Sequence, residues 1–310
     1  MSATDQLFET IRDGLIERLE KARDSDESLP IWTRPWTSLF PKNIFTNDTY
    51  QGFNILAFSF ACEKRGFSSP WFITYKQCRL YNEKHGTNIH VRKGETHIKG
   101  IRYGDNWIPK DWEHIGGNQY QSARHGDIKT EAQVKRPWAK IIQVFNADQL
   151  ENCPDKFLIA EEKPVHVDIE DFVKATHADI RPAPSAFFSP KEDYIGMPPL
   201  SLFASEGHYW ATMLHELTHW TGHKSRLERD LSGSQWSSSY AKEELVAEIG
   251  SAYLCGYFGL TSGLQHETYI DSYLKVLRHD LNAVRWAATR ATDAFNYLHD
   301  TIADIEALAA

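Results

Sequence analysis

The first half of the chain alternates between helical and strand-like spacing of its hydrophobic residues. Residues 4–23 repeat apolar side chains every three or four positions, which predicts an amphipathic helix. The segment 104–136 is polar and contains glycines, so it is predicted to be a long excursion or flexible loop. The other predicted elements are helices at about 52–64 and 74–86, β-rich runs between 88 and 103, and a strand at 138–145.

The second half has mostly helical spacing. Its predicted elements are a short helix near 169–176, a hairpin within 186–195, helices at 207–222 and about 238–258, and a helical region from 267 to about 308. A domain boundary is expected between about 150 and 165, around the polar, proline-containing stretch 161–164. The chain is therefore predicted to be an α+β protein, with a mixed α/β domain over 1–155 and a mainly α domain with a small sheet over 156–310.

The composition is that of a soluble globular protein, and 310 residues are enough for two domains with their own cores. No apolar run approaches the length that spans a bilayer, and the polar N-terminus contains no signal-peptide core. The four cysteines are scattered and form no C-x-x-C pair, so neither a thiolate zinc site nor a disulfide framework is indicated. A cytoplasmic protein without a membrane partner is expected.

The net charge of −8 is unevenly distributed along the chain. Residues 1–150 carry a net charge of +3 and residues 151–310 one of −11, while the segment 64–140 alone carries +8. Only the first half is therefore expected to meet a polyanion.

Six tryptophans in residues 1–150 alternate with arginines and lysines. Aromatic rings that stack on bases and cations that contact phosphates are typical of proteins that bind single-stranded DNA. The candidate residues for such a surface are Trp32, Arg34, Trp36, Trp71, Lys76, Arg92 and Lys93. Each aromatic ring taken alone is more often part of a core, and only together with the local charge of +8 does the pattern leave DNA binding and simple packing as equal alternatives.

The strongest chemical signal is the sequence His-Glu-x-x-His at residues 215–219, within the predicted helix 207–222. Residues four apart share one face of a helix, so His215 and His219 can present two imidazoles to one ion. Glu216 is then free to act as the general base that holds and deprotonates a metal-bound water. This arrangement is typical of zinc hydrolases, which add a third ligand from elsewhere and keep one position open for water.

A third ligand is predicted in the downstream helix. Glu244 and Glu248 are four residues apart, so Glu244 is expected to bind the metal and Glu248 to accept the free N–H of a ligating imidazole. Glu243 is the main competitor for the ligand position. His223 is an alternative only if the helix ends at Gly222, because eight residues of helix separate it from the first ligand, a rise of roughly 12 Å.

The elements that would bind a substrate are less well defined by the sequence. Zinc peptidases bind the substrate backbone along an edge strand, and the segments 186–189 and 194–195 are the candidates here. Ordinary sheet structure explains both segments equally well. Tyr240 or Tyr209 could stabilise an oxyanion, and the sequence does not decide between them.

Short motifs in both halves point to one family. In the first half they occupy 50–54, 71–77, 91–95 and 144–146, and in the second half 187–190, 193–198, 215–229 and 240–248. In combination they resemble the ArdC-type antirestriction proteins, and the resemblance covers about residues 30–300. One departure is Phe53, which stands where the family often has Asn.

The resemblance implies a plasmid- or phage-borne protein with two functional parts. The N-terminal part would bind single-stranded DNA, as a domain that also occurs near the N-terminus of TraC-type plasmid primases, and the C-terminal part would be a zincin-like metallopeptidase domain. The matched motifs add Asn54 and Tyr75 to the candidate DNA-binding residues. Members of this family are thought to shield incoming DNA from host restriction.

The expected function is that of an antirestriction protein that binds single-stranded DNA entering the cell and carries a zinc-dependent peptidase site. Zinc is expected from a ligand set of two His and one Glu, with manganese or another divalent ion as alternatives. Two other functions stay open: a DNA-binding shield with a structural or non-catalytic metal, and a regulatory protease that cleaves one specific host protein. The protein or peptide substrate is unknown.

Overall fold

A computed structural model of the chain describes residues 3–24, 40–158, 168–232, 238–260 and 270–309. The predicted DNA-binding residues Trp32, Arg34 and Trp36 lie outside these ranges. Both halves combine helices with small sheets, which confirms the predicted α+β class. In the part of the chain that is described, no helix is long and apolar enough to cross a membrane.

The first half combines short strands with helices. The strands are β1 (Lys42–Asn43), β2 (Trp71–Ile73), β3 (His90–Val91), β4 (Ile98–Trp107), β5 (Trp112–Gly116), β6 (Gln119–Ser122), β7 (Ile128–Thr130), β8 (Arg136–Asn146) and β9 (Leu150–Glu151). The helices are α1 (Ala3–Asp24), α2 (Phe53–Arg65), α3 (Tyr75–His85) and α4 (Glu131–Val134).

The main sheet of the first half has the strand order β1-β2-β8-β4. β1 is parallel to β2, and the other neighbours are antiparallel. A small ribbon pairs β3 with β9, and β5, β6 and β7 form a separate antiparallel sheet. The long pair β4–β8 therefore lies at one edge of the main sheet, and the sheet β5–β6–β7 is inserted between the end of β4 and the start of β8.

The predicted helices 52–64 and 74–86 correspond to α2 and α3, and the caps explain their limits. Thr74 and Gln77 form a capping box at the start of α3, in which each side chain binds the other's backbone. Gly66 and Gly86 end the two helices in the left-handed conformation, with φ of 69° and 65°. Local sequence thus determines both ends of α3 and the end of α2.

The interpretation of 104–136 as a long excursion or loop is wrong. The segment contains the end of β4, the sheet β5–β6–β7 and helix α4. Tight turns with positive φ at Gly116, Gly117 and Gly126 allow the three strands to follow each other closely. The strands are polar because most of their residues are exposed, so the alternation that marks a half-buried strand is absent.

Asn54 has a structural role at the free edge of the main sheet. Its amide group donates to the backbone C=O of Ile101 and accepts from the N–H of the same residue, both at 2.7 Å. The Asn54 residue is only 7% exposed, so α2 is fastened to the edge strand β4 through a buried pair of hydrogen bonds. Both polar atoms of the Asn54 amide are therefore used within the protein, and its contact with DNA stays a prediction.

We expect the substitution Asn54→Ala to lower the free energy of unfolding by about 2–4 kcal/mol, because it leaves two buried backbone groups of Ile101 without a partner. Urea denaturation of the full chain measures this loss. Gln143→Ala is the matched control, since it removes an exposed amide from the neighbouring strand and should change stability by less than about 0.5 kcal/mol. Equal losses for the two variants would contradict the assignment.

In its described residues, the second half is mainly helical and contains one small sheet. The helices are α5 (Ile169–Ala175), α6 (Glu206–Thr221), α7 (Ser238–Tyr257), α8 (Ile270–His279) and α9 (Ala283–Ala309), and the strands are β10 (Asp179–Pro182), β11 (Phe187–Ser189) and β12 (Tyr194–Met197). The sheet order is β10-β12-β11, so β11 is an edge strand. The hairpin predicted within 186–195 is the antiparallel pair β11–β12.

The two halves share one hydrophobic core. It includes Phe8 of α1 and Phe53 of α2 together with Leu217 of α6 and Leu245 of α7. Hydrogen bonds cross the same junction, since the backbone N–H of Gly52 donates to Oγ1 of Thr292 in α9 at 3.0 Å, and Arg278 of α8 contacts Glu20 of α1 at 2.5 Å. The boundary between 1–155 and 156–310 stays a prediction.

Candidate metal centre

Helix α6 carries the His-Glu-x-x-His sequence through the interior of the second half. The Ser205 side chain caps its first turn by accepting a hydrogen bond from the backbone N–H of His208 at 3.3 Å. Residues 213–221 are buried. Because His215 and His219 lie one turn apart on the same face, their ring centroids are 4.8 Å apart.

Helix α7 packs closely against α6 and brings glutamates to the two imidazoles. A Cβ atom on Gly250 would lie 2.6 Å from Cγ2 of Thr218, so this close approach requires a glycine. Ser251, the next residue, donates a hydrogen bond to the backbone C=O of Ala211 at 3.1 Å. The same contact places the first turns of α7 opposite His215 and His219.

His215, His219 and Glu244 offer three ligand atoms to one point. Nε2 of His215 lies 3.5 Å from Oε2 of Glu244, and Nε2 of His219 lies 3.4 Å from Oε1 of the same carboxylate. All three ligand atoms lie within 4.8 Å of one another. Two ligands bonded to a tetrahedral ion at about 2.0–2.1 Å are roughly 3.3 Å apart, so the donor set fits a divalent metal.

The electrostatics of the cluster favour a positive charge at this point. Burial alone would lower the pKa of His219, but the charge of Glu244 and hydrogen bonds to Glu243 and Glu244 raise it well above its usual value. Burial would raise the pKa of Glu244, but the charge of His219 and the contact with His215 hold it far below its usual range. The carboxylate therefore stays ionised and ready to bind a cation.

Glu243 holds the opposite side of the His219 ring. Its Oε1 atom lies 3.2 Å from Nδ1 of His219, and Arg229 binds the same carboxylate through Nη2 at 2.8 Å and Nε at 3.1 Å. Arg229 also donates to the C=O of Thr218 at 2.6 Å and to Oγ1 of Thr221 at 2.8 Å. This geometry favours Glu244 over Glu243 as the third ligand and makes Glu243 the group that orients His219.

Arg229 and Tyr273 are functional candidates that sequence reasoning did not find. The Arg229 side chain is 5% exposed and lies in the loop after α6, 14 residues before Glu243, so no helical spacing connects the two. The Tyr273 hydroxyl is buried on α8 and lies 3.4 Å from Oε1 of Glu248, the residue predicted to accept an imidazole N–H. Burial raises the pKa of Glu248 to about 7.

Glu216, the predicted general base, is buried beside the donor set. Burial raises the pKa of its carboxyl, and the backbone N–H of Phe188 in β11 donates a hydrogen bond to it. A cavity of about 440 Å³ opens over these residues. Residues from β11, α6 and α7 line the cavity, among them Phe187, Phe188, His215, Glu216, Tyr240 and Glu244.

The turn of the β11–β12 hairpin is fixed to the end of α6. Arg226 donates to the carboxylate of Asp193 and, at 2.6 Å, to the C=O of Trp220. His223 lies at this contact, since its Nδ1 is 3.5 Å from Oδ2 of Asp193 and 2.7 Å from Oγ of Ser225. The hairpin thus keeps β11 at the mouth of the cavity. Of the two tyrosines considered as oxyanion donors, Tyr240 lines that cavity, whereas Tyr209 packs against Phe203.

Among the described residues of the first half, the side chains predicted to bind DNA differ in how free they are. Tyr75 is 72% exposed at the start of α3, and Lys76 and Lys93 are also exposed. Trp71 packs edge-on against Phe157, 5.0 Å between ring centroids. Arg92 binds Glu95 at 3.2 Å.

Two models of known protein families match successive parts of the chain. The model of the N-terminal domain of the anti-restriction factor ArdC matches residues 5–145. The zincin-like metallopeptidase model matches residues 167–290, which include the donor set. The second half is therefore a zincin-like domain with a divalent-metal site.

Two crystal structures of the antirestriction protein ArdC from plasmid R388 are similar to the whole chain. The metal-free structure has a TM-score of 0.73 and the Mn(II)-bound structure one of 0.71, each at 32% identity over 96% of this chain and 98% of that one. A protein of Sinorhizobium fredii, y4eC, is 30% identical over 306 residues, which are 97% of this chain and 94% of that one. The chain belongs to the ArdC-type antirestriction proteins, as its motifs predicted.

The chain is also similar to part of a larger protein. The DNA primase TraC of Escherichia coli is 33% identical over 287 residues, which are 88% of this chain and 25% of TraC. The chain thus spans about a quarter of that relative.

Proposed function

We propose that this protein binds single-stranded DNA entering the cell, protects it from restriction, and carries a metal-dependent peptidase site. The proposed metal ligands are His215, His219 and Glu244, with Glu216 as general base. The observation that carries the proposal is the buried donor set, whose spacing fits a divalent ion and whose open side faces a cavity. Membership of the ArdC-type family supports the role in antirestriction.

The residues around the cavity have separate roles in peptide hydrolysis. When bound, a divalent metal supplies a Lewis acid that polarises a carbonyl and lowers the pKa of a coordinated water. Glu216, buried beside the donor set, would accept the proton from that water and return it to the leaving amine. Glu243 and Arg229 keep the His219 ring in position, and Tyr240 is the proposed oxyanion donor.

Strand β11 is the proposed binding edge for the peptide. Only β12 pairs with it in the described sheet, so its other edge has no strand partner there. Phe187 and Phe188 of this strand line the cavity over the donor set. A peptide that extends the sheet there would lie across the donor set.

Zinc is the proposed metal because two imidazoles and one carboxylate with an open position are typical of catalytic zinc sites. Manganese is the alternative, since the related ArdC of plasmid R388 has a Mn(II)-bound structure. A cytoplasmic location and an unidentified protein substrate complete the proposal.

Conjugative transfer into a restricting host tests the function. We expect Glu216→Gln to keep its metal, because Glu216 is not a ligand, but to reduce protection to the level of a strain without the protein. Transfer into a recipient without restriction enzymes is the control. Full protection by the Glu216→Gln variant would favour the second function, a DNA-binding shield with a non-catalytic metal.

The third candidate function, a regulatory protease, is distinguished from the other two by its cleavage product. If the protein cleaves one host protein, recipient cells with intact Glu216 contain one shortened species that cells with Glu216→Gln lack. Quantitative proteomics of protein termini in both strains measures this. No difference between the strains would exclude a stable cleavage product.

A further inference from the structure

The outer part of the β4–β8 pair carries two like charges directly opposite each other. Arg102 pairs with Lys140 in the strand register, and both side chains are exposed. Among the described residues, neither forms an ion pair with a carboxylate. Like charges opposite each other destabilise an antiparallel pair, so an external anion is the simplest reason to keep them together.

An indole ring lies on the same face, next to the two cations. Trp138 is two residues from Lys140 and opposite Gly104, and the Lys140 ammonium is 5.3 Å from its ring centroid. The ring lies directly against the backbone of Gly104, where a Cβ atom would be 2.4 Å from it. Glycine at 104 therefore lets the indole lie flat on the strand beside Arg102 and Lys140.

This face becomes exposed where the helix layer ends. At Gly100, two residues before Arg102, the same face is covered by α2, because a Cβ atom there would lie 2.6 Å from the Phe58 ring. Beyond it, Arg102 is exposed, and the atoms nearest to Gly104 on this face are those of the cross-strand Trp138. The strand pair thus extends past the core as an open surface.

The small sheet β5–β6–β7 repeats the combination of aromatic and basic side chains. The register places Trp112, His114, Tyr120 and Lys129 on one face. The Lys129 ammonium is 5.2 Å from the centroid of the Trp112 ring, and the His114 and Tyr120 rings are 5.1 Å apart. Apart from Ser122 the residues of these strands are exposed or half-buried, so the sheet contributes little to the core.

We infer that single-stranded DNA binds along these two aromatic and basic faces, which we call the ribbon surface (Arg102, Trp112, Lys129, Trp138 and Lys140). Bases would stack on Trp112 and Trp138, and phosphates would bind the three cations. The segment 64–140, which contains all five residues of this surface, has a net charge of +8, and the zincin-like half is acidic. The inference rests on the proposed DNA binding. It places the binding site on residues other than Tyr75, Lys76 and Lys93, the exposed candidates predicted from the sequence.

Fluorescence anisotropy with the full-length protein and a labelled oligothymidylate tests this inference across a salt series. We expect Arg102→Gln/Lys140→Gln to bind more weakly and to reduce the slope of log K against log salt by about 1.4, because each phosphate contact contributes about 0.7. Its melting temperature should not fall, since the substitution removes a repulsive pair. Trp112→Ala should weaken binding roughly 5- to 150-fold, the cost of one lost stacked base.

Two further double variants separate the outcomes. Lys191→Gln/Lys275→Gln removes two exposed charges from the second half and should bind like the unchanged protein. Lys76→Gln/Lys93→Gln removes two exposed charges from the DNA-binding residues predicted from the sequence.

If the unchanged protein binds but the variants of the ribbon surface bind equally well, the inference is overturned while DNA binding stands. If the unchanged protein does not bind single strands, the proposed DNA function itself fails. Equal affinity for duplex would overturn stacking on the tryptophans.

Discussion

Replacing Glu244 with alanine is expected to remove tight metal binding. Apparent binding free energies of about 10–16 kcal/mol for four-ligand zinc sites correspond to roughly 3–4 kcal/mol per ligand, so the loss should be roughly 10²- to 10³-fold in affinity. The structure gives this carboxylate a contact with each imidazole, 3.5 Å to His215 and 3.4 Å to His219. Competition titration with a zinc-binding dye measures the affinity, and a parallel manganese titration tests the alternative ion.

Glu243→Ala is the comparison that decides between two adjacent glutamates. Glu243 contacts the outer nitrogen of His219 rather than the point where the ligand atoms converge, so its loss should weaken metal binding only about 10- to 100-fold. If Glu243→Ala lost the metal and Glu244→Ala kept it, the ligand assignment would be reversed.

The sequence was sufficient to predict the part of the site that depends on one helix. The spacing of His215 and His219 fixes their common face because α6 is regular and buried around them. The choice between Glu243 and Glu244 depends instead on how α7 is rotated against α6, and neighbouring residues on a helix point about 100° apart. That rotation is set by tertiary contacts such as the close approach at Gly250, which no local pattern reveals.

Two features of the first half show a related limit. Asn54 lies in a recognisable motif, but the motif does not say that its amide group is turned inward to the edge of β4. The strands of 112–130 are exposed on most positions, so they lack the alternation by which a strand is recognised. In both cases the missing information is which surface a residue faces, and this follows only from the assembled sheet.

Arg229 is expected to be the most sensitive residue of the centre outside the ligands. Arg229→Met keeps the length of the side chain but leaves Glu243 ionised and buried without its cation, which should lower the free energy of unfolding of the metal-free protein by about 3–5 kcal/mol. Because Glu243 would no longer be held against His219, metal affinity should also fall about 10- to 100-fold. Chemical denaturation and metal titration measure the two effects.

The double variant Arg229→Met/Glu243→Gln separates the charge from the geometry. With no buried charge left unpaired, it should be more stable than Arg229→Met alone, and the difference gives the coupling energy between the two residues. Its metal affinity should stay low, because an amide orients an imidazole less strongly than a carboxylate does. If the double variant were instead as unstable as the sum of the single variants, Arg229 would act through Thr218 and Thr221 at the end of α6, and Glu243 would hold His219 unaided.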